Sequence, residues 1–119
     1  MSHELNVTPE MRECISNCLE CHDLCLETAV HCLSLGGEHA SVFHQKLLHD
    51  CAEICQTSAN FMLRSSEYHA ETCGVCATIC LACAADCEGM EGSDKLMRRC
   101  AEACRRCAAS CARMAHAVA

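Results

Sequence analysis

The stretch "CGVCATICLACAADC", Cys73 to Cys87, holds five cysteines in fifteen residues at steps of 3, 4, 3 and 4. Those steps return to one face of an α-helix at every cysteine. The pattern recurs along the chain. Cys14, Cys18, Cys21, Cys25 and Cys32 come first, and Cys51 and Cys55 follow. Then come Cys73, Cys76, Cys80, Cys83 and Cys87, and finally Cys100, Cys104, Cys107 and Cys111. Thiolates are soft ligands that select Cu(I), Zn(II) and iron–sulfur clusters. The chemistry on offer is soft-metal binding by a seam of sulfur.

Spacing discriminates among the metals. Seven C-x3-C pairs are present: Cys14/Cys18, Cys21/Cys25, Cys51/Cys55, Cys76/Cys80, Cys83/Cys87, Cys100/Cys104 and Cys107/Cys111. Each projects two sulfurs from adjacent turns of one helix, which suits Cu(I) held by two or three thiolates. Zinc prefers four ligands converging on one ion, commonly with C-x2-C on a turn. Charge points the same way. Sixteen Cu(I) on sixteen thiolates are neutral, whereas four Zn(II) on the same thiolates leave −8 inside the protein. Buried unpaired charge costs several kcal/mol per ion. Iron–sulfur clusters take four Cys each, usually from loops. The expectation is many Cu(I) ions per chain, approaching one per Cys; a zinc or general thiol buffer with a metallothionein-like role is the alternative.

Three blander readings account for the pattern less well. Buried Cys is a common small hydrophobe, but sixteen in place of Leu forgo burial at about 0.8 kcal/mol per missing methylene. A disulfide scaffold is disfavoured because neighbours on one helix hold their Cβ atoms about 5–6 Å apart, beyond the roughly 3.5–4.5 Å of a disulfide. A redox enzyme would need an exposed thiol of low pKa; the "CGVC" at Cys73–Cys76 lies inside the ladder instead. No enzyme activity is expected.

Positioning these thiols requires four helices, and the chain punctuates them. Thr8 and Pro9 are a start signal, and Gly36-Gly37 a stop. Ser41 is expected to cap a second helix reaching about Arg64. Ser66 should cap a third, to about Glu88. Gly89 and Gly92 break the chain, and Ser93 should cap a fourth running nearly to the end. Helices of this length and short connections predict an all-α, antiparallel up-down-up-down four-helix bundle with a Cys-lined core. It forms one domain over residues 1–119, with residues 1–8 as a flexible tail. Glu13, Glu20 and Glu27 form an acidic rail facing a basic one of Arg99, Arg106 and Arg113; exposed pairs contribute only about 0–1 kcal/mol each, so their role is register.

Other soft or nitrogen ligands extend the stripe. Met11, Met62 and Met114 should gather at one end of the bundle, Met90 and Met97 at the other. His44, seven before Cys51, and His69, four before Cys73, are in phase with the sulfur face. His22, His31 and His49 are expected on the flanks, with His3, His39 and His116 outside the ladder. The second helix has no Cys before Cys51, and Cys32 has no C-x3-C partner because position 28 is Thr28. Copper is therefore expected to enter at the end holding Cys32, Cys87, His44, Met90 and Met97, with His44, Met90 and Met97 as its first ligands.

A net charge of −7 argues against nucleic acid as partner. No stretch of about 18 apolar residues stands out, so no membrane span is expected. The N-terminus "MSHELNVTPEMRE" lacks a basic segment followed by an apolar one, which predicts a cytoplasmic protein. A second apolar row on the second helix (Phe43, Leu47, Ile54, Phe61) and one on the first (Ile15, Leu19, Leu26, Val30, Leu33) exceed what one sulfur core needs.

The ladder, with "CAEICQTSANFM" in the second helix and "RRCAEACRRCAASC" in the fourth, resembles the bacterial copper storage proteins, Cys-rich four-helix bundles that bind copper. The resemblance covers essentially the whole chain and points to their cytosolic branch. It implies a homotetramer of bundles, each filled with Cu(I) on C-x3-C thiolates. It also implies loading through one end lined with His or Met. A copper chaperone or a small thiol would be the donor.

Overall fold

Helix starts and stops follow the local chemistry of the caps. The Thr8 hydroxyl accepts the Met11 N–H at 3.1 Å, and Pro9 stands where its missing N–H has no consequence. In the computed structural model, which describes residues 7–116, α1 spans Pro9–Leu35, α2 Val42–Leu63, α3 His69–Gly89 and α4 Lys95–His116. A single 3-10 turn, Gly37–Ala40, links α1 to α2. Residues 1–6 of the expected tail, His3 among them, lie outside the described residues. Ser41 caps α2 as expected, its hydroxyl accepting the His44 N–H at 3.2 Å.

Two expected caps are displaced. Ser66 does not cap α3. Helix α2 ends in a Schellman-type turn: the Ser66 N–H reaches Phe61 O and the Ser65 N–H reaches Met62 O, at 2.9 and 3.0 Å. Ser65 there adopts φ 54. Ser66 is consumed in this turn, so α3 begins three residues later, after Tyr68, with no side-chain cap. Ser93 does not cap α4 either. Asp94 does, accepting the Met97 N–H at 3.1 Å, because a carboxylate one residue closer to the helix complements its positive end.

The four helices form an antiparallel bundle. α1 packs on α2 and α4, and α3 packs on the same two. The molecule measures 54 × 21 × 21 Å. Its narrowness follows from core residue size. Cysteine shares the interior with Ala29, Ala52, Ala59, Ala77, Ala84, Ala101, Ala103 and Ala108, all buried. Small side chains let the backbones approach until sulfurs meet even across the diagonal, as Cys51 and Cys104 do at 3.9 Å.

Outside the core, three expectations are refined. Among the described residues the two charge rails meet at one pair, Glu20–Arg106 at 3.0 Å; Arg105 instead clasps Glu88 of α3 through two hydrogen bonds. The apolar rows split. Ile15 is buried and Leu19, Leu47, Ile54 and Phe61 are partly buried, whereas Leu26, Val30, Leu33 and Phe43 stay exposed, Val30 at 69 % and Phe43 at 70 %. Finally, α3 is long and apolar enough by length and composition to cross a membrane, contrary to the expectation that no such stretch exists. Its apolarity comes from Cys and Ala, and its five cysteines are buried against the other helices.

Candidate metal centre

All sixteen cysteines are reduced and buried, and they converge on the bundle axis. Neighbouring sulfurs sit at thiol contact distance. Cys14 and Cys18 each reach Cys111 at 3.6 Å. Cys55 reaches Cys76 and Cys80 at 3.7 Å. Cys21 reaches Cys104 at 3.5 Å and Cys51 at 3.8 Å.

These contacts build clusters whose sulfurs lie within 4.8 Å of one another. From one end inward, the first is Cys14, Cys73 and Cys111. The next is Cys18, Cys76, Cys107 and Cys111, then Cys55, Cys76, Cys80 and Cys107. Further along are Cys21, Cys51, Cys55 and Cys80, and last Cys21, Cys25, Cys51 and Cys104. Each cluster shares sulfurs with the next: Cys111, then Cys76 and Cys107, then Cys55 and Cys80, then Cys21 and Cys51. A column of shared sulfurs fits ions bridged by common thiolates. Isolated tetrahedral ions, each needing four sulfurs of its own, fit it less well.

Thiols in the column influence one another's protons. Hydrogen bonding with Cys104 lowers the Cys21 thiol pKa, and hydrogen bonding with Cys100 raises that of Cys104. Thiols that share a hydrogen bond are pushed in opposite directions, so ionising one opposes ionising the next. A metal ion replacing each proton removes that competition.

Beyond the last cluster the column thins. Cys25 touches Cys100 at 3.8 Å, and Cys83 and Cys87 are buried nearby on α3. Cys32 is different. Among the described residues its one side-chain hydrogen-bond partner is His44 Nε2, at 3.3 Å. Burial first, then the charges of Asp94, Cys100 and Asp86, push its thiol up to about 11. His44 is fully buried, and its Nδ1 lies 2.5 Å from Asp86 Oδ2. Leu48 and His44 occupy the positions of α2 where the ladder lacks Cys, both without solvent exposure. Met97 is fully buried at this end, and Met90 partly buried.

The opposite end is closed by sulfur. Met62 Sδ accepts from the Cys73 thiol at 3.8 Å, and Met11 near the start of α1 and Met114 near the end of α4 are buried. His69, in phase with the ladder, turns Nδ1 onto the Ser66 carbonyl at 2.9 Å. That ring nitrogen is occupied by the α2–α3 turn.

Two acids escaped the sequence reading. Asp86 interrupts the Ala/Cys run "ACAADC", and that interruption was its signal. Asp94 binds His31 Nε2 at 2.5 Å besides capping α4. Nothing local announces a pairing across 63 residues.

Comparison with known proteins gives a consistent result. A family model described as "Copper storage protein" matches residues 7–116. The crystal structure of Nmul_A1745 from Nitrosospira multiformis superposes with a TM-score of 0.83 at 47 % identity, covering 89 % of this chain and 94 % of that one. The Cu(I)-bound copper storage protein BsCsp3 gives 0.82 at 31 % identity, over 89 % and 98 %. An uncharacterized cysteine-rich protein of Bacillus subtilis, YhjQ, is 34 % identical over 66 residues, which are 56 % of this chain and 61 % of that protein.

Proposed function

The chain belongs to the copper storage protein family, and on that premise we propose that it stores many Cu(I) ions on the thiolates of its bundle core. The observation that carries this is the column of clusters joined through shared sulfurs. Shared thiolates let ions of low coordination number line the axis while the core stays close to neutral. Cu(I) needs only two or three sulfurs and carries a single charge, so each ion replaces one thiol proton without adding buried charge. The role is storage or sequestration, with detoxification as its consequence, and not catalysis: the thiols lie inside the protein.

The setting of this activity is proposed as cytoplasmic, where thiols stay reduced. A copper chaperone or a small thiol would deliver the ion. Copper enters at the end holding His44, Met90 and Met97, which pass it to Cys32 and Cys87. The exposed apolar residues Leu26, Val30 and Leu33 on α1 and Phe43 on α2 support self-association to a homotetramer.

Anaerobic titration of the reduced protein with Cu(I) tests the main reading. Saturation at about one ion per thiol is expected. Saturation near four ions per chain, with zinc retained against Cu(I), would transfer the assignment to a zinc buffer.

A further inference from the structure

The two hydrogen bonds of His44 are chemically unequal. Nδ1 lies 2.5 Å from Asp86 Oδ2, and Nε2 lies 3.3 Å from Cys32 Sγ. The three residues come from three helices, α1, α2 and α3, and the ring between them has no contact with solvent. An ionised carboxylate only accepts hydrogen bonds, so the bridging hydrogen belongs to Nδ1. A neutral ring held in that way presents the Nε2 lone pair to Cys32.

Cys32 needs such a partner. The inward position one turn before it is Thr28, whose buried hydroxyl has no hydrogen-bond partner among the described residues. Among the described residues the sulfur clusters do not extend to Cys32. Histidines that bind metals commonly donate their other N–H to a carboxylate, which fixes both tautomer and ring orientation.

We propose that Asp86 is a positioning residue. It holds His44 as the Nδ1–H tautomer and aims Nε2 at Cys32, so that nitrogen and sulfur together form a mixed two-ligand site for a soft monovalent cation. Binding there exchanges the Cys32 thiol proton, released to solvent, for the metal. The Nε2 lone pair supplies the second bond, and no electron changes hands. Asp86 is 20 % exposed, so its charge keeps contact with water while its inner oxygen holds the ring. The consequence for loading rests on the reading that copper enters at this end; the tautomer does not.

Nuclear magnetic resonance of the reduced, metal-free full chain with labelled histidine nitrogens tests the proposal. Long-range proton–nitrogen correlations should show His44 as the Nδ1–H tautomer. Asp86→Asn keeps an accepting carbonyl oxygen and should retain it, whereas Asp86→Ala should lose it. Titration with Ag(I) to saturation should then produce a one-bond silver–nitrogen coupling at His44 Nε2 in the wild type and in Asp86→Asn, but not in Asp86→Ala. Affinity for that ion should fall about tenfold in Asp86→Ala. An Nε2–H tautomer or an imidazolium in the wild type would overturn the proposal, as would a missing silver coupling there. So would an Asp86→Ala protein with the wild-type tautomer and coupling. Should Asp86→Ala not fold, the wild type and Asp86→Asn decide. If these signatures appear but a His44/Met90/Met97 variant loads copper at the normal rate, the entry reading fails and the positioning role stands.

Discussion

Where α2 turns into α3, the sulfur column ends against thioethers: Met62 meets Cys73, and Met11 near the start of α1 and Met114 near the end of α4 are buried. At the other end it finishes against an imidazole braced by a carboxylate, His44 on Asp86. The connections differ as well. At the thioether end one turn joins two helices, and His69 is bound into it. At the imidazole end two connections meet. His39 Nε2 lies 3.3 Å from where a Cβ on Gly92 would stand, and His31 on α1 holds Asp94 at the start of α4. Thioethers seal a sulfur core with neutral, apolar bulk. The imidazole and carboxylate close it with polar groups tied to each other and to Cys32 by hydrogen bonds, so the two closures differ in chemistry.

Loading kinetics is the largest lever on this contrast. Replacing His44, Met90 and Met97 together with Ala should slow Cu(I) uptake from a thiol-bound donor by about tenfold or more. The matching Met62, His69 and Met114 variant should load at close to the normal rate. Stopped-flow uptake in both variants checks this, and the reverse result would place the mouth at the thioether end.

A smaller effect concerns how firmly the imidazole end is tied. Asp94→Ala removes the α4 cap and the partner of His31, and should cost about 1 kcal/mol. The pH dependence follows from the direction of the shift. His31 first, and then the Met97 N–H, hold the Asp94 carboxyl below its ordinary 3.8. The carboxylate's contribution is therefore complete above 3.8 and is lost as the pH falls below it, through the folded value. Denaturation curves of wild type and variant should differ at neutral pH and converge in that acidic window.

The smallest effect lies in the turn of the thioether end. Ser65 holds φ 54, a conformation that penalises a side chain bearing Cβ. Ser65→Gly should raise the denaturant midpoint by an equivalent of about 0.5–1 kcal/mol. At the imidazole end Gly36, Gly37 and Gly92 already occupy the positive-φ positions, so no comparable gain is available there. A destabilised Ser65→Gly protein would show that the Ser65 side chain supports the turn.

Much of the molecule was legible because periodicity is a local property. Steps of 3 and 4 placed every cysteine of the ladder on an inner face, and Thr8, Ser41 and the glycines marked helix ends. The failures were also local in kind but competitive in cause. At Ser66 a Schellman-type turn claimed the residue first, and at position 93 a neighbouring aspartate made the better cap. His69 shared the phase of the ladder, yet its ring went to the carbonyl of the preceding turn.

The sequence by itself determined that sixteen thiols share the inner faces of four helices, since that follows from 3.6 residues per turn within each helix. Which sulfurs meet was decided by the tertiary structure. The relative rise of one helix against another depends on how the side chains of all four interlock, and no single segment encodes it. The same holds for Asp86: its distance from His44 is set by the register of α2 against α3, and only there does an acid in an alanine-rich run become the support of a buried imidazole.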